Sequence, residues 1–334
     1  MADIQKQFEK FHDNIRLANE NRILKEKRDV LKNNLGDALK KNDDAPTVDK
    51  YLLQGSYAIH TGINPPNSDY DIDIGVVFDC TKEAFGALKL KNIVKEALDH
   101  SSRDPKLKNP CITIQYTKDG EDEYHVDMPV YVKRDDGKGY DLAWGKNSSS
   151  EDWLHSDPEG LVDEINGKYS DEDERAQFRR VVKYLKAWKG MKFTAFTIPS
   201  IGLTLSTWEM FAPDIDFYDN SKNDLAALKK TVARILSAFR WVAGVEGKSL
   251  YRLQICLPVS PRNDVFEKLT DQQMTELKDK MESLLDTLKY AENEERSEKA
   301  CKELKKHLPD FPVPSTLETA KASVLSLNNT GSSS

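Results

Sequence analysis

Cysteine is scarce: Cys80, Cys111, Cys256 and Cys301 are scattered through 334 residues with no C-x-x-C pair. Neither a structural zinc site nor a disulfide framework is expected, and free thiols in a reducing compartment are the default reading. Long hydrophobic runs are also missing. The longest uncharged stretch, residues 193–208, has 16 residues and includes Pro199, Ser200 and four threonines, whereas a bilayer span needs about 20 mostly apolar residues. Met1 leads into charged, helix-like sequence, so no secretory signal is expected, and the cytoplasm is the expected location. An excess of basic charge is lacking as well. Lys plus Arg number 49 against 56 Asp plus Glu, a formal charge of −7, which disfavours a chain-wide nucleic-acid binder but leaves room for a local basic channel. Internal repeats are absent. What is present suffices for folding: 38% apolar and 31% charged residues, with aromatic and β-branched side chains throughout, unlike a disordered chain. The length allows two domains or one large α/β unit.

Apolar residues recur at helical spacing over residues 4–39 (Ile4, Phe8, Phe11, Ile15, then Leu24, Leu31 and Leu35). That pattern predicts one long amphipathic helix, ended near Pro46. Residues 72–78 (IDIGVVF), 111–116 (CITIQY) and 124–132 (YHVDMPVYV) read as strands, with Asp119-Gly120 as a hairpin turn between the last two. A helix is expected over residues 82–99 and a loop-like insertion over 134–151. The second half reads as helical over residues 173–191, 201–211 and 225–242. Thr270 with Gln273 forms a capping-box pattern ahead of Met274, Leu277, Met281, Leu284 and Leu288 on one helix face. The tail after Ala320 ends NNTGSSS and reads as flexible.

The chemistry is concentrated in residues 54–79, QGSYAIHTGINPPNSDYDIDIGVVFD. Strand alternation puts Asp71 and Asp73 on one sheet face while Ile72, Ile74, Val76 and Phe78 take the other. Two adjacent carboxylates repel unless a cation lies between them. Hard oxygen donors of this kind suit Mg2+, with Mn2+ as the alternative. Asp127 supplies a third carboxylate from another strand, flanked by Val126 and Met128. Three carboxylates on adjacent strands can hold two metals about 3.5–4 Å apart and clamp both oxygens of an in-line phosphoryl displacement. Gly55 and Ser56 suit phosphate contact through backbone approach, amides and a hydroxyl. The competing reading is that Gly55 ends a strand and Ser56 caps the next helix. Asp69 shares the register of Asp71 and Asp73 but follows Pro65-Pro66 in a loop, where a turn or surface role is expected.

Gly55-Ser56, DYDIDIGVVF (residues 69–78) and HVDMPVY (residues 125–131) together resemble the nucleotidyltransferase superfamily of DNA polymerase β type. Within it, the chain is similar to the cyclic GMP–AMP synthase-like bacterial enzymes, the CD-NTases of antiphage signalling systems. SDPEGL (156–161), RRVVKYLKAW (179–188), TIPSIGLTL (197–205) and LPVSPRNDVF (257–266) extend the resemblance to about residues 1–315. It implies an α+β nucleotidyltransferase fold with a small mixed-sheet lobe and a helical second lobe, the active site lying in the cleft between. The corresponding division is a catalytic lobe at residues 1–153 with the long N-terminal helix, a helical lobe at 154–320 and a tail at 321–334. It also implies synthesis of a purine-containing cyclic di- or trinucleotide messenger from NTPs with release of pyrophosphate, in antiphage defence. The partners implied are the NTP substrates, regulatory proteins and an effector that binds the product, with neither membrane nor nucleic acid required. Linear oligoadenylate synthesis, nucleotidyl transfer to RNA or protein, and a nucleotide-binding scaffold are the alternatives, since a fold does not fix the acceptor.

In the helix over residues 173–191, Arg179, Lys183 and Lys186 form a basic stripe opposite an apolar face, a pattern that most often marks a solvated surface. The resemblance assigns Lys186 to the donor triphosphate and Ser200 to a hydroxyl position lining the same phosphates; Lys183 is the rival, one turn away. Ile201 departs from relatives that place a base-stacking aromatic beside that hydroxyl. His125 shares a strand face with Asp127, Asn263 and Asp264 either line the nucleotide pocket by resemblance or form an N-cap before Val265-Phe266, and Tyr57 reads as packing. The run Ser148 to Ser150 has no His/Asp partner set and reads as loop rather than nucleophile.

Overall fold

The computed structural model describes residues 2–17, 20–64, 70–99, 104–118, 121–245 and 247–314. Asp69, the Asp119-Gly120 turn, the tail and the side chain of Asp71 lie outside these. Two compact units are present: residues 16–168 with 257–263, and residues 1–15 with 169–256 and 264–334. The division expected near residue 153 falls instead after residue 168, and the N-terminal segment is shared between the units. Helix α1 (Gln5–Ile15) buries Phe8, Phe11 and Ile15 in the second unit, whereas α2 (Glu20–Leu39) belongs to the first. The single helix expected over residues 4–39 is therefore two. The physical reason is in the stripe: the positions that would continue Ile4, Phe8, Phe11 and Ile15 hold Ala18, Asn19 and Arg22, so no large apolar side chain carries that face onward.

The first unit continues through β1 (Val48–Gln54), α3 (Gly55–Ala58), β2 (Tyr70–Phe78), α4 (Ala87–Leu98), β3 (Pro105–Leu107), β4 (Ile112–Lys118), β5 (Glu121–Met128), β6 (Val130–Lys133), β7 (Tyr140–Trp144), β8 (Asp152–Ser156) and α5 (Pro158–Gly167). The eight strands form one mixed sheet in the order β3-β4-β5-β2-β6-β7-β8, with β1 also paired to β2. Strand β2 runs parallel to β5 and β6; the other pairs are antiparallel. The single strand expected over residues 124–132 breaks at Pro129, which has no N–H to give the ladder, although its carbonyl still accepts from Val76 N at 2.9 Å. The insertion expected over residues 134–151 is not all loop, since it contains β7.

Alternation along the central strands separates two faces. Ile72, Ile74, Val76 and Phe78, with Ile112, Ile114, Val126, Met128, Val130 and Val132, pack against Leu31, Leu35 and Leu39 of α2 and Leu90, Val94 and Leu98 of α4. At about 1.5–3 kcal/mol for each large apolar side chain buried, this face holds the sheet to its helices; on the other face a smaller cluster of Leu52, Val77, Tyr131 and Tyr140 is buried beyond Asp73. Lys91 of α4, fully buried, ties the loops: its ammonium donates to the carbonyls of Lys108 (2.6 Å), Asn109 (2.8 Å) and Gly145 (2.6 Å), and burial pulls its pKa down to about 8.

The second unit adds α6 (Glu172–Lys192), α7 (Ser200–Met210), α8 (Asp224–Ser237), β9 (Arg240–Val245), β10 (Lys248–Arg252), α9 (Asp271–Asn293) and α10 (Ser297–Leu304). Asp171 caps α6 through Glu174 N, and the capping box of Thr270 and Gln273 opens α9. The helix expected over residues 225–242 stops at Ser237, and the chain turns into β9, paired antiparallel with β10. Helix α1 docks here through Phe8 and Phe11, whose rings lie 5.4 and 5.6 Å from the Tyr184 ring, and through Gln5 Oε1, which accepts from Asp224 N at 2.8 Å. The buried Asp224 carboxylate is held by Arg180 Nε (2.7 Å) and Nη2 (2.8 Å) and by Tyr184 OH (2.8 Å), so this charge is paired rather than stranded. Gly202 of α7 lets Phe266 lie flush, since an added Cβ would come within 2.2 Å of the ring. No described helix is long and apolar enough to cross a membrane.

Candidate active site

Four polar side chains stand in one row across four adjacent strands of the first unit. Thr113 of β4 pairs with Asp127 of β5, Asp127 with Asp73 of β2, and Asp73 with Gln54 of β1. Paired residues in a sheet share a face, so the row lies on the side turned away from α2 and α4. Asp73 and Asp127 are both half-buried. With strands about 4.8 Å apart, their carboxylates are close enough to repel and to share a cation. Asp71 lies two residues before Asp73 in β2, in register with His125. Among the described residues no group of three His, Cys, Asp or Glu assembles into a cation site; the Asp73–Asp127 pair is the part of the expected triad that they contain.

Each end of the row is braced. Thr113 Oγ1 donates to Asp127 Oδ1 at 2.5 Å, and the buried Cys111 Sγ lies 3.7 Å from Thr113 Oγ1. Burial, and next the charge of Asp127, push the Cys111 thiol up to about 12, so it stays protonated. At the other end, Tyr131 OH donates to Gln54 Oε1 at 3.0 Å. The residues of this bracing were not evident in the sequence. A two-residue turn at Asp119-Gly120 would pair Thr113 with Val126. A bulge between Tyr116 and Thr117 shifts the register by one and brings Thr113 opposite Asp127.

Gly55 and Ser56 follow β1 directly. Gly55 has φ +66°, and a Cβ on it would lie 1.8 Å from Asp73 Oδ2. The glycine therefore allows the backbone to abut the aspartate itself, a role beyond the expected approach to phosphate. It also follows the last residue of β1, as the strand-ending reading holds. Gln54, not Ser56, occupies the cap position of α3, and Ser56 is the second helical residue, so Ser56 is not the helix cap. His125 is half-buried two residues before Asp127. Asp264 Oδ1 accepts from Phe266 N (3.0 Å) and Ile255 N (3.3 Å), a cap-like bond to the backbone, although a turn and not a helix follows it. Asn263 O accepts from Leu257 N at 3.0 Å.

Lys186 and Ser200 lie in the second unit. Lys186 is 6% exposed on α6, among the buried positions of that helix. Lys183 Nζ stands 3.2 Å from His12 Nε2. Arg179 is half-buried, and burial, then Arg175, lowers its pKa. The structure pairs Ser200 with a lysine that sequence reasoning passed over: Lys189 Nζ donates to Ser200 Oγ at 2.6 Å and to Ile198 O at 3.2 Å. Burial lowers the Lys189 pKa. Extending the basic stripe one more turn beyond Lys186 would have reached it.

Residues 49–131, a span that includes the row from Gln54 to Asp127, match the model of the cyclic GMP-AMP synthase DncV-like nucleotidyltransferase domain. A cyclic GMP-AMP synthase of Escherichia albertii is 32% identical over 169 residues, covering 47% of this chain and 36% of that protein. The match thus spans about a third of the relative's length. Among solved structures, the GTP-bound form of Vibrio cholerae DncV superposes with a TM-score of 0.69 at 18% identity, covering 90% of this chain and 93% of that one. The same enzyme, described as a cyclic AMP-GMP synthase in complex with the linear intermediate pppA(3′,5′)pG, gives 0.67 at 17% identity, covering 90% and 93%. At these identities the superpositions establish the α+β nucleotidyltransferase fold.

Proposed function

We propose that this chain, whose residues 49–131 form a nucleotidyltransferase domain of the cyclic GMP-AMP synthase DncV-like family, joins nucleoside triphosphates into a cyclic oligonucleotide messenger. The observation that carries the reading is the Asp73–Asp127 pair, set in parallel register on the face of the sheet opposite α2 and α4, beside the smaller buried cluster of Leu52, Val77, Tyr131 and Tyr140. A ribose hydroxyl oxygen bonds to the α-phosphorus of a second nucleotide while the bond to pyrophosphate breaks; a second round closes the ring. Purine nucleotides are the proposed substrates and antiphage signalling the proposed setting, both carried over from the resemblance.

The donor set fits a hard divalent cation, because paired carboxylates with room for water and phosphate oxygens are what Mg2+ takes. Asp71, Asp73 and Asp127 would hold it, and when bound it supplies charge neutralisation and in-line alignment of the reacting oxygens. The chain's own residues do the rest. Asp127 accepts the proton leaving the attacking hydroxyl. Gly55 keeps the backbone low beside Asp73, and Ser56 offers a hydroxyl to the phosphates. Lys186 and Ser200 are proposed to meet the donor triphosphate, where fixed positive charge and donors are most useful as the leaving group gains charge.

The test is product identity. The protein is incubated with each labelled NTP and Mg2+, treated with phosphatase and chromatographed. A phosphatase-resistant product without free ends is expected. A ladder would establish linear synthesis instead, and label on added RNA or protein would establish transfer.

A further inference from the structure

Thr113 is the most deeply buried member of the aspartate row, 6% exposed, and its hydroxyl can do little except serve its neighbours. A threonine hydroxyl has one proton. With Asp127 Oδ1 as its acceptor that proton is committed to the carboxylate, and a hydroxyl that donates to an ionised carboxylate makes a stronger bond than one between neutral groups. Cys111 Sγ, 2% exposed, lies 3.7 Å behind the Thr113 oxygen and closes that side of the hydroxyl. The backbone fixes the arrangement: Thr113 and Asp127 are directly opposed in the β4–β5 ladder, and the bulge between Tyr116 and Thr117 is what brings them opposite.

We propose that Thr113, backed by Cys111, is a positioning residue for Asp127: it holds one carboxylate oxygen, fixes the plane of the group and turns the remaining lone pairs toward the cation and the attacking hydroxyl. The inference rests on the proposed cation-binding role of Asp127 and adds to it the residue that orients that ligand. Groups hydrogen-bonded to a metal ligand orient it, and their removal commonly costs about 10–100-fold in metal affinity.

Thr113→Val is the direct test, because valine keeps the branched shape and removes only the hydroxyl. Mn2+ binding to the full chain, without nucleotide, is followed by the electron paramagnetic resonance of free Mn2+. We expect Thr113→Val to weaken binding about 10-fold or more with the thermal midpoint little changed, and Thr113→Ser to restore it to within about 3-fold. Thr113→Ala repeats the measurement should the valine variant fold poorly. Mn2+ binding by Thr113→Val and Thr113→Ala at the parent affinity overturns the inference, provided Asp127→Asn abolishes binding. If Asp127→Asn itself binds Mn2+ like the parent, Asp127 is not a cation ligand, and the inference falls together with the metal reading on which it rests.

Discussion

At the scale of single residues, Gly55 is where backbone conformation and chemistry meet most tightly. Its φ of +66° would cost any other residue about 1–2 kcal/mol, and a Cβ there would fall within 1.8 Å of Asp73 Oδ2. The second effect outweighs the first for function, because the aspartate must move or the loop must. Gly55→Ala is expected to lower turnover at least about 100-fold, equivalent to roughly 3 kcal/mol of barrier, with a thermal midpoint only a few degrees lower. Ser56→Ala removes one donor to a charged phosphate, a loss of roughly 1.5–3 kcal/mol, and should retain measurable activity. Steady-state rates and thermal melts of the two variants check this; a Gly55→Ala enzyme at the parent rate would show that Asp73 can be displaced without consequence.

At the scale of elements, α6 presents lysines of different standing. Lys186 is buried among the helix's packing positions, Lys183 faces His12, and Lys189 holds Ser200. If Lys186 meets the triphosphate, Lys186→Ala should raise KM and lower kcat together, since part of its interaction grows as charge moves to the leaving group. Arg179→Ala should change either constant by less. Parallel kinetics on Lys183→Ala decide between neighbours: a defect confined to Lys183 moves the assignment by one turn. The elements also show why sequence reading succeeded and failed where it did. Strand β2 was legible because Ile72 and Ile74 alternate with Asp71 and Asp73 ahead of the apolar run Val76-Val77-Phe78, and α9 because its capping box is local. The break between α1 and α2, the β9–β10 hairpin and the Thr113–Asp127 pairing were not legible. Each depends on which distant residues meet, and a one-residue bulge or a lapse in one stripe decides that.

At the scale of the molecule, two units each with its own buried residues divide the expected site: the aspartate row and Gly55-Ser56 in one, Lys186 and Ser200 in the other. The aspartate row makes the stronger demand on the fold, because half-buried carboxylates share their sheet face with the packed cluster of Leu52, Val77, Tyr131 and Tyr140 while the opposite face packs on α2 and α4. The central claim is that Asp71, Asp73 and Asp127 form a nucleotidyl-transfer centre. Pyrophosphate release from an NTP mixture with Mg2+, compared between the parent and the Asp71→Asn/Asp73→Asn double variant, tests it most directly. The account predicts steady release by the parent and a fall of at least about 1,000-fold in the variant, some 4 kcal/mol of barrier, with the circular-dichroism spectrum unchanged. Release by the variant at the parent rate and with the parent's Mg2+ dependence would contradict it.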